Sequence, residues 1–276
     1  MTFRKAALAL ALMITAAPAW AQESGGMLQR YRPPAKGTSD TYIVTLSGTG
    51  AIEPRFPGSD KASGTFFPSL SYRRLDEPAR FTSVDDGASI SIIDDPTFRV
   101  GPVFRFQSGR YLADDRQLLG LRKLNYDVES GLFLEYWPLT FIRARIEARH
   151  GFRDNSGFVG NVGVDLIVPI DRFTFSIGPR LNFGDQRYLD RYFGVRPFEA
   201  AASGRVFPFR ADGGLYSVGV LGAVTYTWNE TWATTGFVGY NRLVNDAADS
   251  PIVTRIGSRD QVTVGAKISY SFNFTP

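Results

Sequence analysis

The residues best placed to do chemistry together lie between positions 125 and 149. Asp127, Glu129 and Glu135 recur at even spacing, and Arg143, Arg145, Glu147 and Arg149 follow at the same spacing. Strand residues two apart share a face, so each run predicts one charged face. On paired strands such faces neutralise each other across the ladder. Arg99, Arg105, Asp165, Arg172, Arg180 and Lys267 hold polar positions in comparable segments. Two uses are open: the lining of a small, anion-favouring passage, or a self-neutralised filling that keeps a narrow interior in shape. The filling is the simpler account.

The remaining catalytic inventory is short. The chain has one histidine, His150, and no cysteine. Thiol catalysis and cysteine metal sites are therefore excluded. A serine-histidine-carboxylate arrangement needs a base within hydrogen-bond reach of its nucleophile, and no serine is nominated. The sequence contains no G-x-S-x-G, H-E-x-x-H or phosphate loop. The doublets Asp85-Asp86, Asp94-Asp95 and Asp114-Asp115 lack the spacing of a calcium loop and read as turn formers. Asp246, Asp249 and Asp260 lie near Arg242, Arg255 and Arg259, which predicts ion pairs in place of a metal. The expectation is a non-enzyme with no cofactor and no metal.

The elements that must carry these residues start with an export signal. Arg4 and Lys5 precede the apolar run Ala6 to Ala17, and Ala19-Trp20-Ala21 supplies a cleavage site between Ala21 and Gln22. Residues 1–21 are thus predicted to be a signal peptide. Residues 22–40, with Gly25-Gly26 and Pro33-Pro34, read as a flexible periplasmic leader, and 41–276 as one barrel domain. The net charge is +4, and 26 of the 31 basic residues are Arg. That charge is too small to suggest nucleic acid.

From Thr41 onward, period-2 alternation dominates. Val262, Val264, Ala266, Ile268, Tyr270, Phe272 and Phe274 alternate with polar or small residues, and segments 172–184, 97–107 and 140–149 repeat the pattern. Membrane strands need about 9–11 residues, whereas globular strands peak near 5–6. The segments fit the membrane case, and aromatics such as Tyr126, Tyr136, Trp137, Trp228, Trp232 and Tyr240 gather near their ends, as in interfacial girdles. Short connections fall at Asp76–Pro78, Asp94-Asp95, Pro138, Pro169–Asp171 and Asn229-Glu230. Long ones fall at 53–63, 110–123, 185–212 and 244–261. Outer-membrane barrels show this asymmetry. Taking Asp85-Asp86-Gly87 as a hairpin tip gives an all-β, antiparallel transmembrane barrel of twelve strands. Ten strands result if that hairpin is peripheral.

Four blocks then carry a family resemblance. They are Pro57-Gly58-Ser59-Asp60, Val100 to Phe106, Arg187 to Val195, and Asp246 to Val253 continuing into Gly257 to Gln261. Within them Gly58, Ser59, Asp60, Tyr188, Asp190, Tyr192, Phe193, Gly194, Asp249, Ser250 and Pro251 are the marker residues. In this order they resemble the MipA/OmpV family of outer-membrane proteins. The resemblance implies outer-membrane localisation in a Gram-negative cell, with lipid, lipopolysaccharide and the barrel assembly machinery as partners. For the name-giving member it implies a scaffold joining a lytic transglycosylase to a penicillin-binding protein in murein growth. Other members are described as adhesins. It brings no catalytic residues. One departure is that Phe274 is followed by Thr275-Pro276, where such barrels usually finish on an aromatic residue.

The leading expectation is a non-catalytic scaffold for murein-synthesising and murein-cleaving enzymes. The alternatives are a narrow solute pore and a surface adhesin. Tyr188, Arg191, Tyr192 and Arg196 in the longest loop would serve the adhesin as binding anchors, unless they fold inward and cap the barrel.

Overall fold

A computed structural model describes residues 39–77, 79–113, 115–153 and 156–276. The expected cleavage site at Ala21–Gln22 and most of the leader lie outside the described residues.

The strands are β1 (Tyr42–Pro54), β2 (Ala62–Arg74), β3 (Ala88–Ser89), β4 (Ile93–Asp94), β5 (Phe98–Gln107), β6 (Asp127–Leu139), β7 (Ile142–Gly151), β8 (Phe158–Ile170), β9 (Phe173–Gly184), β10 (Gly214–Thr227), β11 (Trp232–Leu243) and β12 (Asp260–Phe274). They form one twelve-stranded antiparallel sheet in the order β2-β1-β12-β11-β10-β9-β8-β7-β6-β5-β3, with β4 also on β5. β12 returns to β1, from Tyr42 opposite Phe274 to Ile52 opposite Val264, and the sheet curls into a nearly closed barrel. Its two edges approach where Phe67 of β2 and Phe106 of β5 meet, ring centroids 6.5 Å apart.

Alternation sets the two faces. Along β12, Val262, Val264 and Ile268 stay about half exposed on the outside, the side that lipid covers in a membrane barrel. At the short-turn end the aromatics form a girdle. Phe173 meets Tyr226 at 4.8 Å, Tyr226 meets Trp228 at 4.6 Å, and Trp232 meets Tyr270 at 4.8 Å. The turns there are tight. Asp171 takes a φ of 52° between β8 and β9, a conformation that Asp tolerates. The Asn229 side chain accepts the N–H groups of Thr231 and Trp232 between β10 and β11.

The segment 75–97 departs from the expected pattern. Residues 79–84 form no strand, and β3 and β4 are two residues each. The connection from β2 to β5 starts and finishes at the short-turn end, yet it folds back into the interior. Its descending limb pairs with β5, while Asp85 and Asp86 sit among the lumen arginines. The tip expected at a barrel rim is instead inside the barrel. Its carboxylates find their counter-charges there.

The opposite end is closed by helices from the long loops: α1 (Gln186–Phe193), α2 (Pro197–Ser203), α3 (Asn245–Asp249) and α4 (Pro251–Ile256). Asp185 caps α1 by accepting the Tyr188 N–H at 2.8 Å. At the other end of α1, Arg110 donates to the Tyr192 carbonyl at 2.9 Å, and Arg122 donates to the carbonyls of Asp190, Arg191 and Gly194. Cations are favoured at a helix C-terminus. Burial, with Arg122 nearby, pulls the Arg110 guanidinium down to about 10.

Candidate functional site in the lumen and its lid

The lumen face of β6 presents Asp127, Glu129, Phe133 and Glu135, and that of β7 presents Arg143, Arg145, Glu147 and Arg149, all buried. Register places Glu135 opposite Arg145 and Arg143 opposite Asp165 of β8. On the other side of β6, Arg99 faces Glu135 and Arg105 faces Glu129. A period of two on four adjacent strands thus stacks opposite charges in rows.

The pairs interlock. Arg143 lies 2.9 Å from Glu135, 3.0 Å from Asp165 and 2.6 Å from Asp86. Arg145 reaches Glu135 at 3.3 Å and Glu147 at 2.9 Å, and packs over the Phe133 ring at 4.1 Å. Arg149 bridges Glu129 at 3.0 Å and also pairs with Glu147. Arg180 of β9 holds Asp165 at 2.6 Å and Asp85 at 2.7 Å. Arg105 contacts Glu147 at 3.2 Å, and Arg99 lies 3.6 Å from Glu135. Asp127 stands apart. It accepts the N–H groups of Phe152 and Arg153 and the Ser156 hydroxyl, and so ties down the β7–β8 loop.

The wall therefore carries six arginines (99, 105, 143, 145, 149 and 180) against four paired carboxylates (129, 135, 147 and 165). Asp85 and Asp86 make up the difference. The Gly87 N–H also donates to Glu147 at 3.0 Å. A Cβ on Gly87 would come within 2.5 Å of Val103, so the tip fits closely. In the sequence these aspartates read only as turn formers. The usable signal was the excess of arginine over carboxylate on the lumen faces. What remains between the plug and β7–β9 is a cavity of about 150 Å³, room for a few waters at ~30 Å³ each.

The far side of the lumen differs. β10, β11, β12 and β1 turn mainly Ser, Thr, Ala and Gly inward, with Leu221 and Phe237 among them. Hydroxyls pair as Thr225–Thr235 at 2.8 Å, Ser47–Ser269 at 2.9 Å and Thr45–Ser271 at 2.8 Å. Lys267 is the basic residue on this lumen face of β12, and no ion pair to it occurs among the described residues. Arg172 lies in the β8–β9 turn and bonds the Trp228 carbonyl, so it is not a lumen residue. His150 faces outward and packs edge-on against Phe158 at 4.6 Å. No cluster of metal-ligating side chains occurs among the described residues.

The marker residues of the family resemblance collect in the lid. Gly58 has φ +92°, and a Cβ there would meet Val253 at 2.7 Å. Its N–H donates to Gln261 at 3.0 Å. Ser59 is buried and turns the chain by bonding Lys61, while Asp60 is exposed. Tyr188, Tyr192 and Phe193 are core residues, and a Cβ on Gly194 would collide with Asp190. Ser250, fully buried, caps α4 and donates to the Phe193 carbonyl at 2.6 Å. Pro251 is buried at the first turn of α4, and Asp249 pairs with Arg259 at 3.0 Å. Arg242 pairs with Asp260 at 2.5 Å. Tyr188, Tyr192 and Arg191 are thus buried and unavailable as surface anchors, because they carry the lid's core. Arg196 alone of that group is exposed.

Sequence comparison identifies relatives of this chain. A family model described as MltA-interacting protein MipA matches residues 46–272. Outer membrane protein OmpV of Vibrio cholerae serotype O1 is 31% identical over 121 residues, which span 43% of this chain and 44% of that protein. The chain thus aligns with less than half of that relative's length. Among solved structures, the KdgM porin covers 84% of this chain and 99% of its own at 11% identity and TM-score 0.37. An outer membrane channel from Pseudomonas putida F1 covers 88% and 100% at 8% identity and TM-score 0.43. Likenesses at this level say nothing of conduction or substrate. The chain is an outer-membrane β-barrel.

Proposed function

Because the chain belongs to the MltA-interacting protein (MipA) family, we propose that it is a non-catalytic outer-membrane scaffold for murein-cleaving and murein-synthesising enzymes, exported by residues 1–21. The observation that carries this reading is the filled lumen. Buried arginines are matched by carboxylates from both the wall and the re-entrant turn, and a packed lid covers the mouth. Such a barrel is suited to holding a shape. The family description names a partner, MltA, which the resemblance implies is a lytic transglycosylase.

In this reading the long loops face outward and the short turns face the periplasm. A soluble partner would then meet the leader and the base of the 75–97 connection. That connection is longer than the tight turns around it, which eases the difficulty that a stable interface usually buries ~1,600 Å². Periplasmic cross-linking of tagged protein should capture a lytic transglycosylase or a penicillin-binding protein. Failure to enrich either over an unrelated barrel would sink the scaffold. The pore is tested separately: purified protein in planar bilayers should give no current steps above background.

A further inference from the structure

We infer that the outward surface of residues 196–210 is a docking site for acidic polysaccharide. The local backbone sets the geometry. Val195 and Phe209 form an isolated antiparallel bridge, each N–H donating to the other's carbonyl at 2.7 and 2.9 Å. Val195 is buried, and Phe209 packs on both apolar clusters of the lid. Side chains alternate across such a bridge, so Arg196 and Arg210 project to the opposite, outer side. They are diagonal neighbours there, about 7–8 Å apart at their bases.

Helix α2 completes the surface. Glu199 is buried and accepts the N–H groups of Arg196 and Arg122 at 2.8 and 2.7 Å. Ala200 and Val206 anchor the segment in the lid. Gly204 ends α2 at φ +63°, and exposed Arg205 follows. The surface is therefore fixed in advance, which lowers the ordering cost of binding. Phe198 and Phe207 of the same segment are 62% and 45% exposed.

The charge pattern distinguishes this surface from the lumen. Each of the six wall arginines inside has a carboxylate partner, whereas none of Arg196, Arg205 and Arg210 forms an ion pair among the described residues. A lone exposed arginine is ordinary. Three guanidiniums without an ion pair and two exposed phenylalanines within the one segment 196–210 give it a mixed cationic and aromatic surface. The planar fork of Arg matches carboxylate, phosphate or sulfate bidentately. A Phe ring offers a flat apolar platform for the C–H face of a sugar. An acidic polysaccharide presents both features in every repeat, and a polymer suits an open face better than a cavity.

The test uses the full-length barrel refolded in detergent, with heat-modifiable gel mobility confirming the fold of each variant. Binding is measured to immobilised alginate, dextran sulfate, neutral dextran and poly-glutamate. Retention is expected on alginate and dextran sulfate but not on neutral dextran. R196Q/R205Q/R210Q should lose at least tenfold, and Arg255→Gln, an exposed arginine of α4, should lose nothing. F198A/F207A should weaken alginate binding several-fold and leave poly-glutamate unchanged. The proposal is overturned if the triple variant binds like the wild type or if Arg255→Gln loses as much. It is equally overturned if poly-glutamate binds as well as alginate and F198A/F207A changes nothing, since the face would then read charge alone.

Discussion

The barrel is closed twice, by opposite physics. In the lumen, arginines and carboxylates lock together on β5–β9 with the help of Asp85 and Asp86. At the mouth, α1–α4 bury Leu189, Tyr192, Phe193, Ile252 and Val253 as a small soluble-type core. The apolar lid draws on the hydrophobic effect, at about 25 cal/mol per Å² buried. The ionic plug gains less than its contacts suggest, because removing charges from water offsets much of the attraction. The lid is therefore the main source of local stability. The plug is the source of specificity, since each charge fits only where its counter-charge waits.

This contrast can be broken from either side. The largest effect is expected from Glu135→Ala, which removes the buried carboxylate that Arg143 and Arg145 share. Breaking a buried pair by removing one partner costs roughly 3–5 kcal/mol, and urea unfolding in detergent should show it. E135A/R145M, which removes one charge of each sign, should recover part of the loss. No recovery would mean that charge pairing is not what Glu135 supplies. Phe193→Ala at the lid's centre, 0% exposed, should cost about 3–5 kcal/mol within the lid. It should expose the 185–213 loop to protease while the β-sheet circular dichroism stays unchanged. A global loss of strand signal would show that lid and wall are one cooperative unit.

A smaller effect is expected from D85N/D86N. Both side chains can still accept hydrogen bonds, so the re-entrant segment should loosen without leaving. Hydrogen exchange at residues 81–94 should accelerate roughly tenfold, equivalent to about 1.4 kcal/mol, with little change in the lid. Unchanged exchange would show that these carboxylates do not hold the segment in the lumen.

Much of the wall was legible because strand alternation is a local property. Glu135 and Arg145 could be assigned to one charged face from spacing alone, and register then made them neighbours. The aromatic girdle and the tight turn at Asp171 are equally local. The re-entrant segment was not legible, because its cause lies elsewhere. The charges that draw in Asp85 and Asp86 are on β7 and β9, some 57 and 95 residues further along. The lid was half legible. Its residues were marked by the family resemblance, but Tyr188 and Tyr192 have the composition of binding anchors, and only the packing of α1 on α3 and α4 shows them to be core. The marker residues Gly58, Gly194 and Ser250 serve that packing too, which explains why they could be spotted without a chemical role.

The smallest predicted effect tests whether the lid has any ionic dependence of its own. Lys61, in the first long loop, lies 2.7 Å from Asp115. Burial works to raise the Asp115 carboxyl, but bonds from Lys61 and the Gln117 N–H outweigh it and leave its pKa below the usual carboxylate value. A group depressed on folding stabilises above its unfolded pKa, and that contribution fades as pH falls through the folded value. The link between the 55–61 and 108–126 loops should therefore hold at neutral pH and weaken below about pH 4. Because Lys61 is 43% exposed, the pair is worth at most ~1 kcal/mol. Protease nicking of the 108–126 loop, compared at pH 7 and pH 3 with an acid-tolerant enzyme, should rise only modestly in the wild type. In Lys61→Met it should already be raised at pH 7 and change less with pH. If nicking instead rose steeply in both proteins, acid would be acting on the lumen plug, and the division between an ionic interior and an apolar lid would have to be redrawn.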